Sequence, residues 1–215
     1  VHSVVDIGCG VGTWLRAFSE CGVGDFLGID GPHVDQKLLQ IDPARFRPVD
    51  LTGPLGLQRR FDMAVSLEVV ENLPPQYADA MVTSLASLAD VVVLSAAVPG
   101  QGGHSHVNEQ WPDYWSTMFR RLGFSAIDCI RPRFWTDPDV EFWYAQNTIL
   151  YANTAGLSAY PRLQSALDRY GTDTLPLVHP KAVTWLRIPN PGIRICATML
   201  WRAIGSYACR RHVAR

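Results

Sequence analysis

Three glycines follow a short apolar segment near the start of the chain, and the pattern is typical of a ligand-binding turn. Residues 4–7 read VVDI, and Gly8, Gly10 and Gly12 come directly after them. The apolar run predicts a buried strand, and the residues from about Thr13 have the apolar spacing of a helix. Glycine adopts backbone angles that a Cβ disfavours and lets a ligand approach the main chain closely. The free N–H groups and the positive dipole end of the helix would face the same space.

The rest of the chain alternates segments of strand and helix character. Strand-like runs are predicted at residues 4–7, 25–30, 46–51, 61–67, 91–98, 125–130 and 143–152. Helices are predicted at residues 13–21, 75–88 and 111–122. Arg131–Phe142, rich in Pro, Asp and Trp, suits a long loop between two antiparallel closing strands. The alternation therefore predicts an α/β fold with a doubly wound, mostly parallel seven-stranded sheet whose last strand is antiparallel.

The predicted sheet also selects where chemistry should occur. In open sheets of this type, ligands bind beyond the carboxyl ends of the strands, at the point where the strand order reverses. The segments that meet this rule are Gly8–Gly12, Asp30, Asp50, Ser66–Glu71 and Pro99–Asn108.

The glycine spacing distinguishes between two classes of nucleotide-like ligand. The dinucleotide fingerprint needs Gly or Ala at position 13, where this chain has Thr13. The spacing found is G-x-G-x-G, and with Asp6 in the strand before it the segment resembles motif I of the class I S-adenosylmethionine-dependent methyltransferases. That resemblance implies a Rossmann-like methyltransferase fold, with S-adenosyl-L-methionine as the cofactor bound by Gly8, Gly10 and Gly12.

Further positions extend the resemblance over residues 1–152. Asp30, at the end of the second predicted strand, resembles the acid that binds the ribose hydroxyls. Asp50 and Leu51 resemble the pair that contacts the adenine. Ser66 and Glu68, at the end of the fourth predicted strand, resemble the segment under the methionine moiety. Asp6 itself is expected to accept backbone N–H bonds from the glycine turn, since a buried carboxylate needs partners.

Catalysis by a methyltransferase consists mainly of positioning, with a base required when the acceptor is a hydroxyl. His106 and His104 lie in a glycine-containing loop after the fifth predicted strand and are the candidate bases, because imidazole titrates near neutrality. The competing interpretation is that they cap the next helix or face solvent. Glu68 is the third catalytic candidate, because Glu68 and Glu71 are three residues apart and could hold a metal or orient the acceptor. The pair offers fewer oxygen ligands than magnesium takes, so we predict a mechanism without a metal.

The nature of the acceptor is predicted from one loop. The segment PGQGGHSHVNEQWPDYW, residues 99–115, resembles a loop of bacterial methyltransferases found near glycan-modifying genes. This favours O-methylation of a sugar, a glycan or another small hydroxylated acceptor. Two alternatives stay open. One is N- or C-methylation of a small metabolite, which needs no histidine base. The other is a non-catalytic module that binds the cofactor and a membrane.

Charge and composition divide the chain. Acidic residues outnumber basic ones over residues 1–153, predicted to be the cofactor-binding methyltransferase domain, and basic residues dominate 154–215, a predicted helical extension. Residues 193–215 have the pattern of an amphipathic basic helix. It either lies on an anionic membrane surface or packs on the body or in a homodimer, and we favour packing. The acidic body argues against a nucleic-acid partner.

The cysteines and the start of the chain predict a location. Five cysteines are widely spaced, with no metal-binding rhythm, which is typical of a reducing compartment. No charged segment followed by an apolar one opens the chain, so no signal peptide is expected. We therefore expect a cytoplasmic protein, peripheral to the inner face of the membrane if the basic helix binds lipid.

Overall fold

The computed structural model describes residues 1–174 and 176–185, with the side chains of 183–185 left out. Its centre is a seven-stranded sheet of order β3-β2-β1-β4-β5-β7-β6. The strands are β1 Ser3–Ile7, β2 Asp25–Asp30, β3 Phe46–Pro48, β4 Met63–Leu67, β5 Val91–Ser95, β6 Phe124–Ile127 and β7 Ile149–Asn153. Strands β1 to β5 pair in parallel, and β7 is antiparallel to both β5 and β6. The predicted fold class is therefore confirmed.

The α-helices flank this sheet. They are α1 Thr13–Glu20, α2 Ala78–Leu88, α3 Pro112–Arg121, α4 Arg131–Phe134, α5 Phe142–Asn147, α6 Thr154–Ala159, α7 Pro161–Tyr170 and α8 Pro180–Trp185. Short 3-10 turns lie between β2 and β3 and between β4 and α2. The connections from β2 to β3 and from β4 toward α2 thus leave the carboxyl edge of the sheet lined by turns and loops.

Alternation along the strands divides the core between the two faces of the sheet. Val5 belongs to the cluster that includes Leu85 of α2 and Phe119 of α3. Val4, one residue earlier, belongs to the cluster that includes Leu15 of α1. Both valines are fully buried, as expected for a central parallel strand covered on each face. This packing fixes β1, and with it the glycine turn that follows.

Two local predictions near the end of the sheet are wrong. Residues 143–147 were expected to begin the last strand, but they belong to helix α5, and β7 starts only at Ile149. Within Arg131–Phe142, expected to be a loop, α4 is helical. Aromatic residues suggested the strand, yet Phe142, Ala145 and Gln146 are buried at helical spacing. Strand propensity reflects packing context more than the backbone, so here the packing decides.

The chain divides into two units, Val1–Ala182 and Val183–Arg215. The first extends beyond the boundary predicted at residue 153, because α6 and α7 pack on the sheet. Leu157 and Leu163 contact a buried cluster that includes Ile127 and Leu150. The predicted basic helix at residues 193–215 lies outside the described residues, so its roles stay predictions. Within the part of the chain that is described, none of the helices has the length and apolar character that crossing a bilayer requires.

Candidate active site

A cleft of about 600 Å³ opens at the carboxyl edge of the sheet. Its walls follow the ends of β1, β2 and β4 and include the loop after β5. The lining residues are Gly8, Asp30, Gly31, Pro32, His33, Asp50, Leu51, Glu68, Val69, Asn72, Leu73, His104 and Ser105. The rule that placed ligands at this edge therefore selects the observed cleft.

Gly8 allows the first turn of the cleft to form. Its φ is +84°, and a Cβ built on it would lie 2.3 Å from Cγ2 of Val69. Its N–H donates to the carbonyl of Ile29 at 2.7 Å, which joins the end of β1 to β2. A residue with a side chain would meet both a disfavoured conformation and a steric clash. The close approach of Val69 is thus the packing reason for glycine at position 8.

Asp30 lies where a ribose-binding acid is expected. Its Oδ2 accepts the N–H of Gly10 at 2.7 Å, and its Oδ1 accepts the N–H of Gly31 at 2.6 Å. The side chain of His33 comes within 3.7 Å of Oδ1. Two amide donors orient the carboxylate, and each oxygen keeps a second acceptor position for a ligand hydroxyl.

Asp50 and Leu51 form another part of the cleft wall. Asp50 is exposed, and its Oδ1 accepts both the N–H and the hydroxyl of Thr52, at 2.9 and 2.7 Å. These hydrogen bonds lower the pKa of the Asp50 carboxyl, so it is ionised at neutral pH. The ionised carboxylate can accept a hydrogen bond from an amine, and the half-buried side chain of Leu51 beside it can pack on a flat ring.

Asp6 does not act as predicted. The amides of Gly8 and Cys9 donate to the Ile29 carbonyl, and that of Gly10 donates to Asp30. Oδ2 of Asp6 has no hydrogen-bond partner among the described residues. Burial first, and then the charge of Asp30, raise the pKa of Asp6 to about 7. The expectation that Asp6 accepts glycine-turn amides is therefore wrong.

Glu68 is the centre of a buried polar network. It has a φ of +56°, unusual for a residue with a side chain. Its Oε1 accepts from the hydroxyl of Ser95 and from Nδ2 of Asn147, the latter at 2.9 Å, and its Oε2 accepts from Nε2 of Gln101 at 3.1 Å. Gln146 joins through Oε1 of Gln101 at 3.2 Å. Both carboxylate oxygens are occupied, so Glu68 is held as a fixed acceptor at the cleft wall.

The two candidate histidines have different environments. His104 is exposed and lines the cleft. His106 does not line it. Its Nδ1 lies 3.0 Å from Oε1 of Glu109, and its Nε2 lies 3.9 Å from Oε1 of Glu71. Because both ring nitrogens of His106 face carboxylates of the protein, His104 is better placed to meet an acceptor in the cleft.

The structure thus brings only some of the predicted residues into one cleft. Gly8, Asp30, Asp50, Leu51, Glu68 and His104 line it. Asp6, Gly10, Gly12, Ser66 and His106 are not among the lining residues. Ser66 is fully buried, and its hydroxyl has no hydrogen-bond partner among the described residues.

Two residues of the site, His33 and Asn147, are not among those predicted from the sequence. His33 lies three positions after the end of β2, so the end of that strand could have predicted its place at the carboxyl edge of the sheet. The role of Asn147 was not predicted because residues 143–152 were expected to form a strand, whereas Asn147 ends helix α5. Because β7 is antiparallel, its first residues lie at the same edge as the ends of β4 and β5. Among the described residues, no group of three or more potential metal ligands is found.

Comparison with known proteins assigns the family. The family model described as methyltransferase domain matches residues 1–131. The chain belongs to this family. The recognition of a class I S-adenosylmethionine-dependent methyltransferase from motif I is confirmed. No curated protein matches the chain.

Solved structures support the same fold. Magnesium protoporphyrin IX methyltransferase from Synechocystis PCC 6803, with bound SAH, is 23% identical over 70% of this chain and 74% of that one, with a TM-score of 0.52. DesVI from Streptomyces venezuelae is 15% identical over 71% and 84%, with a TM-score of 0.51. The methyltransferase domain of the bacterial protein CtHen1-C is 15% identical over 71% and 89%, with a TM-score of 0.51.

As a member of the family, this methyltransferase uses S-adenosyl-L-methionine, and the cleft fits that cofactor. Gly8 opens the turn, and the oriented carboxylate of Asp30 suits a ribose diol. Nothing lies within 4 Å of the position that a Cβ on Gly10 would occupy, so the turn is open there. Asp50 and Leu51 offer one acceptor and one apolar surface for an adenine.

Proposed function

We propose that this methyltransferase transfers a methyl group to a hydroxyl of a sugar or another small hydroxylated acceptor, with His104 as the base. The observation that carries the proposal is the exposed imidazole of His104 in the wall of the same cleft as Asp30 and Glu68. His33 also lines the cleft, but it lies beside Asp30, at the ribose end. His104 is thus the better candidate for the acceptor side.

Each residue of the cleft has a separate role in the proposed reaction. When bound, the cofactor supplies a methyl group already activated by a positive sulfur. Asp30 would hold the ribose, and Asp50 with Leu51 the adenine. The carboxylate of Glu68, held in place by hydrogen bonds from Ser95, Gln101 and Asn147, would lie near the sulfur. A ring nitrogen of His104 would take the proton of the acceptor hydroxyl, which a hydroxyl must lose on methylation.

The first experiment tests the cofactor site. Calorimetric titration of the full chain with S-adenosylhomocysteine is expected to give binding in the micromolar range, with at least a tenfold loss of affinity in Asp30→Ala. NAD is the negative control, because position 13 is Thr and not Gly or Ala. Binding of NAD, or unchanged affinity in Asp30→Ala, would contradict the proposed site.

The second experiment tests the base. Among sugars and small hydroxylated compounds, an acceptor that supports turnover is expected to lose 10²- to 10⁴-fold in kcat in His104→Ala, the range typical of general-base catalysis. His2→Ala, which removes an exposed histidine outside the cleft lining, is the matched control. Full turnover of a nitrogen or carbon acceptor by His104→Ala would favour the N- or C-methyltransferase alternative.

The remaining proposals concern location and partners. Cys9, Cys21 and Cys129 are free thiols, which is consistent with the proposed cytoplasmic location. Contact of residues 193–215 with a membrane surface or with a second copy of the chain is proposed from the sequence pattern alone. Binding of the full chain to anionic vesicles, compared with neutral ones, and its mass in solution would test the two roles separately.

A further inference from the structure

Three buried side-chain amides, the amide relay of Gln101, Gln146 and Asn147, connect Glu68 with the segment that follows α7. The three residues are 7, 0 and 4% exposed. Their amide groups lie between the carboxylate of Glu68 and the main chain of His179. Among the described residues, none of their buried polar atoms lacks a hydrogen-bond partner. The way each amide is turned is therefore determined by the groups around it.

One end of the amide relay is the main-chain N–H of His179. A main-chain N–H only donates, so the atom that faces it must be an acceptor. It donates to Oε1 of Gln146 at 2.7 Å. The nitrogen of Gln146 then lies on the other side, where it donates to Oε1 of Gln101 at 3.2 Å and to Oδ1 of Asn147 at 2.9 Å. A single N–H thus determines which atom of Gln146 faces the other two amides.

The other end of the relay is the carboxylate of Glu68, whose oxygens only accept. Because Gln146 holds the oxygens of Gln101 and Asn147, both of these residues turn their nitrogens the other way. Nε2 of Gln101 donates to Oε2 of Glu68 at 3.1 Å, and Nδ2 of Asn147 donates to Oε1 at 2.9 Å. The hydrogen bonds run in one direction from His179 to Glu68, and the bonds of such a series strengthen one another.

The reverse arrangement of the amides is unfavourable. If Gln146 turned, its nitrogen would meet the N–H of His179. Its oxygen would then meet the oxygens of Gln101 and Asn147. If those two amides turned as well, their oxygens would meet the carboxylate of Glu68. Either change leaves buried donors and acceptors without partners, so the donor at His179 and the acceptor at Glu68 favour the same orientation.

The main chain of His179 is held in place by its own side chain. The residue is buried, and Nε2 of its ring donates to the carbonyl of Trp135 at 2.6 Å. Its Nδ1 accepts the N–H of Lys181 at 3.1 Å, so the two bonds fit the same tautomer. Thr174, earlier in the same segment, is hydrogen-bonded to Ser116 of α3 at 2.9 Å. The N–H that begins the relay is thus a fixed part of the fold.

We propose that the main-chain N–H of His179, acting through the amide relay, positions the carboxylate of Glu68 in the cofactor cleft. Gln146 is the residue that passes the orientation on. Neither Gln146 nor His179 lines the cleft, so both are positioning residues. Both also lie beyond residues 1–131, which the family model matches. The effect on the cofactor rests on the proposed place of Glu68 near the sulfur, whereas the coupling of Glu68 to His179 does not.

Glu68→Gln introduces a donor at the acceptor end of the relay. One of its two polar atoms is then an N–H2 group, so either Gln101 or Asn147 must turn its oxygen toward it. That amide then presents its nitrogen to the nitrogen of Gln146, and the conflict reaches His179. Without cofactor, hydrogen exchange at the main-chain amide of His179 is expected to be about five- to tenfold faster than in the unmodified chain. The main-chain amides of β5 are the reference, because they report opening of the whole sheet.

Ser95→Ala is the matched control at the same carboxylate. It removes the hydroxyl that donates to Oε1 of Glu68, but it turns no amide of the relay. Exchange at His179 is therefore expected to stay within about twofold of the rate in the unmodified chain. If the carboxylate had only a general structural role, both variants would exchange faster by similar amounts. That result, or an unchanged rate in Glu68→Gln, would overturn the proposal.

The unmodified chain gives a second test that does not depend on the folding of a variant. In NMR spectra of the full chain, the three side-chain N–H2 groups of the relay are observed directly. We expect them to exchange with solvent at least about a hundredfold slower than the N–H2 group of the exposed Gln36. Exchange of any of the three at the rate of Gln36 would mean that the relay is not fixed, and would overturn the proposal.

Cofactor binding tests what the relay does for the cleft. Calorimetry compares S-adenosylmethionine, whose sulfur is positive, with S-adenosylhomocysteine, whose sulfur is neutral. Gln146→Met, a change to a side chain of similar size without the amide, is expected to lower the preference for the charged compound roughly two- to fivefold. Glu68→Gln should lower it as well, and the double variant no further than Glu68→Gln alone. A general loosening of the cleft would weaken the binding of both compounds equally.

The outcomes separate this inference from the proposed function. If neither compound binds, or if Glu68→Gln leaves the preference unchanged, while the exchange results hold, the proposed place of Glu68 near the sulfur is wrong and its coupling to His179 stands. If Glu68→Gln changes the preference and Gln146→Met does not, the relay does not position Glu68 and the inference is wrong.

Discussion

Replacement of Gly8 by alanine should destabilise the chain for two separable reasons. At its φ of +84°, an alanine costs about 1 to 2 kcal/mol relative to an ordinary conformation. Its Cβ would also lie 2.3 and 2.5 Å from the two methyl carbons of Val69. Relief of such overpacking typically costs about 1 to 3 kcal/mol. We therefore expect the free energy of unfolding to fall by about 2 to 5 kcal/mol in Gly8→Ala.

Gly10 provides the matched control for this prediction. Its φ is +54°, but nothing lies within 4 Å of the position a Cβ would take. Gly10→Ala should therefore lose only the backbone contribution, about 1 to 2 kcal/mol. The measurement is urea denaturation of the ligand-free chain, with the midpoints compared at equal slope.

A double variant isolates the clash itself. In Gly8→Ala with Val69→Ala the two methyl carbons are gone, so the double variant should be more stable than the sum of the single effects predicts, by about 1 kcal/mol or more. Additive effects, or equal losses in Gly8→Ala and Gly10→Ala, would refute the explanation of Gly8 by its contact with Val69.

Three further outcomes are expected. The raised pKa of buried Asp6 means that the folded chain binds its proton more tightly than the unfolded chain. Asp6 should therefore contribute most to stability below about pH 4, and this contribution should be lost as pH rises toward 7, by on the order of 4 kcal/mol at most. Urea denaturation at pH 4.5 and 7.5 should show the loss as a difference between the unmodified chain and Asp6→Asn, in which this titration is absent. Asn147→Ala removes a donor to Glu68 and should cost about 1 to 3 kcal/mol of unfolding free energy in the same assay. Gln101→Ala should cost a similar amount, and an unchanged midpoint in either would mean that water replaces the lost donor.

Much of the fold could be predicted because the signals are local. The apolar runs of β1 and β5 and the glycines after β1 depend on short segments of sequence. Their placement follows from general rules about parallel sheets. The cleft positions of Gly8 and Asp30 follow from strand ends in the same way.

The errors arise where tertiary contacts outweigh local preference. The aromatic residues of α5 suggested a strand, and only their burial at helical spacing determines a helix. Asp6 was expected to accept hydrogen bonds from the amides of the glycine turn. In the folded chain these amides donate instead to the carbonyl of Ile29 and to the carboxylate of Asp30. The two loop histidines look equivalent in sequence, and only the fold of the loop separates His104 from His106.

The position of β7 in the sheet has a consequence for the order in which the chain assembles. β7 lies between β5 and β6, so β6 has no partner in the sheet until the later strand is present. The bond from Asn147 to Glu68 joins residues 79 positions apart, and it forms only when the segment before β7 reaches the sheet. Contacts of such long range are slow to form because the loop between them must first be closed. During synthesis, we expect the glycine turn and its first strands to gather early, and the wall of the cleft around Glu68 to be completed only after the last strand has left the ribosome.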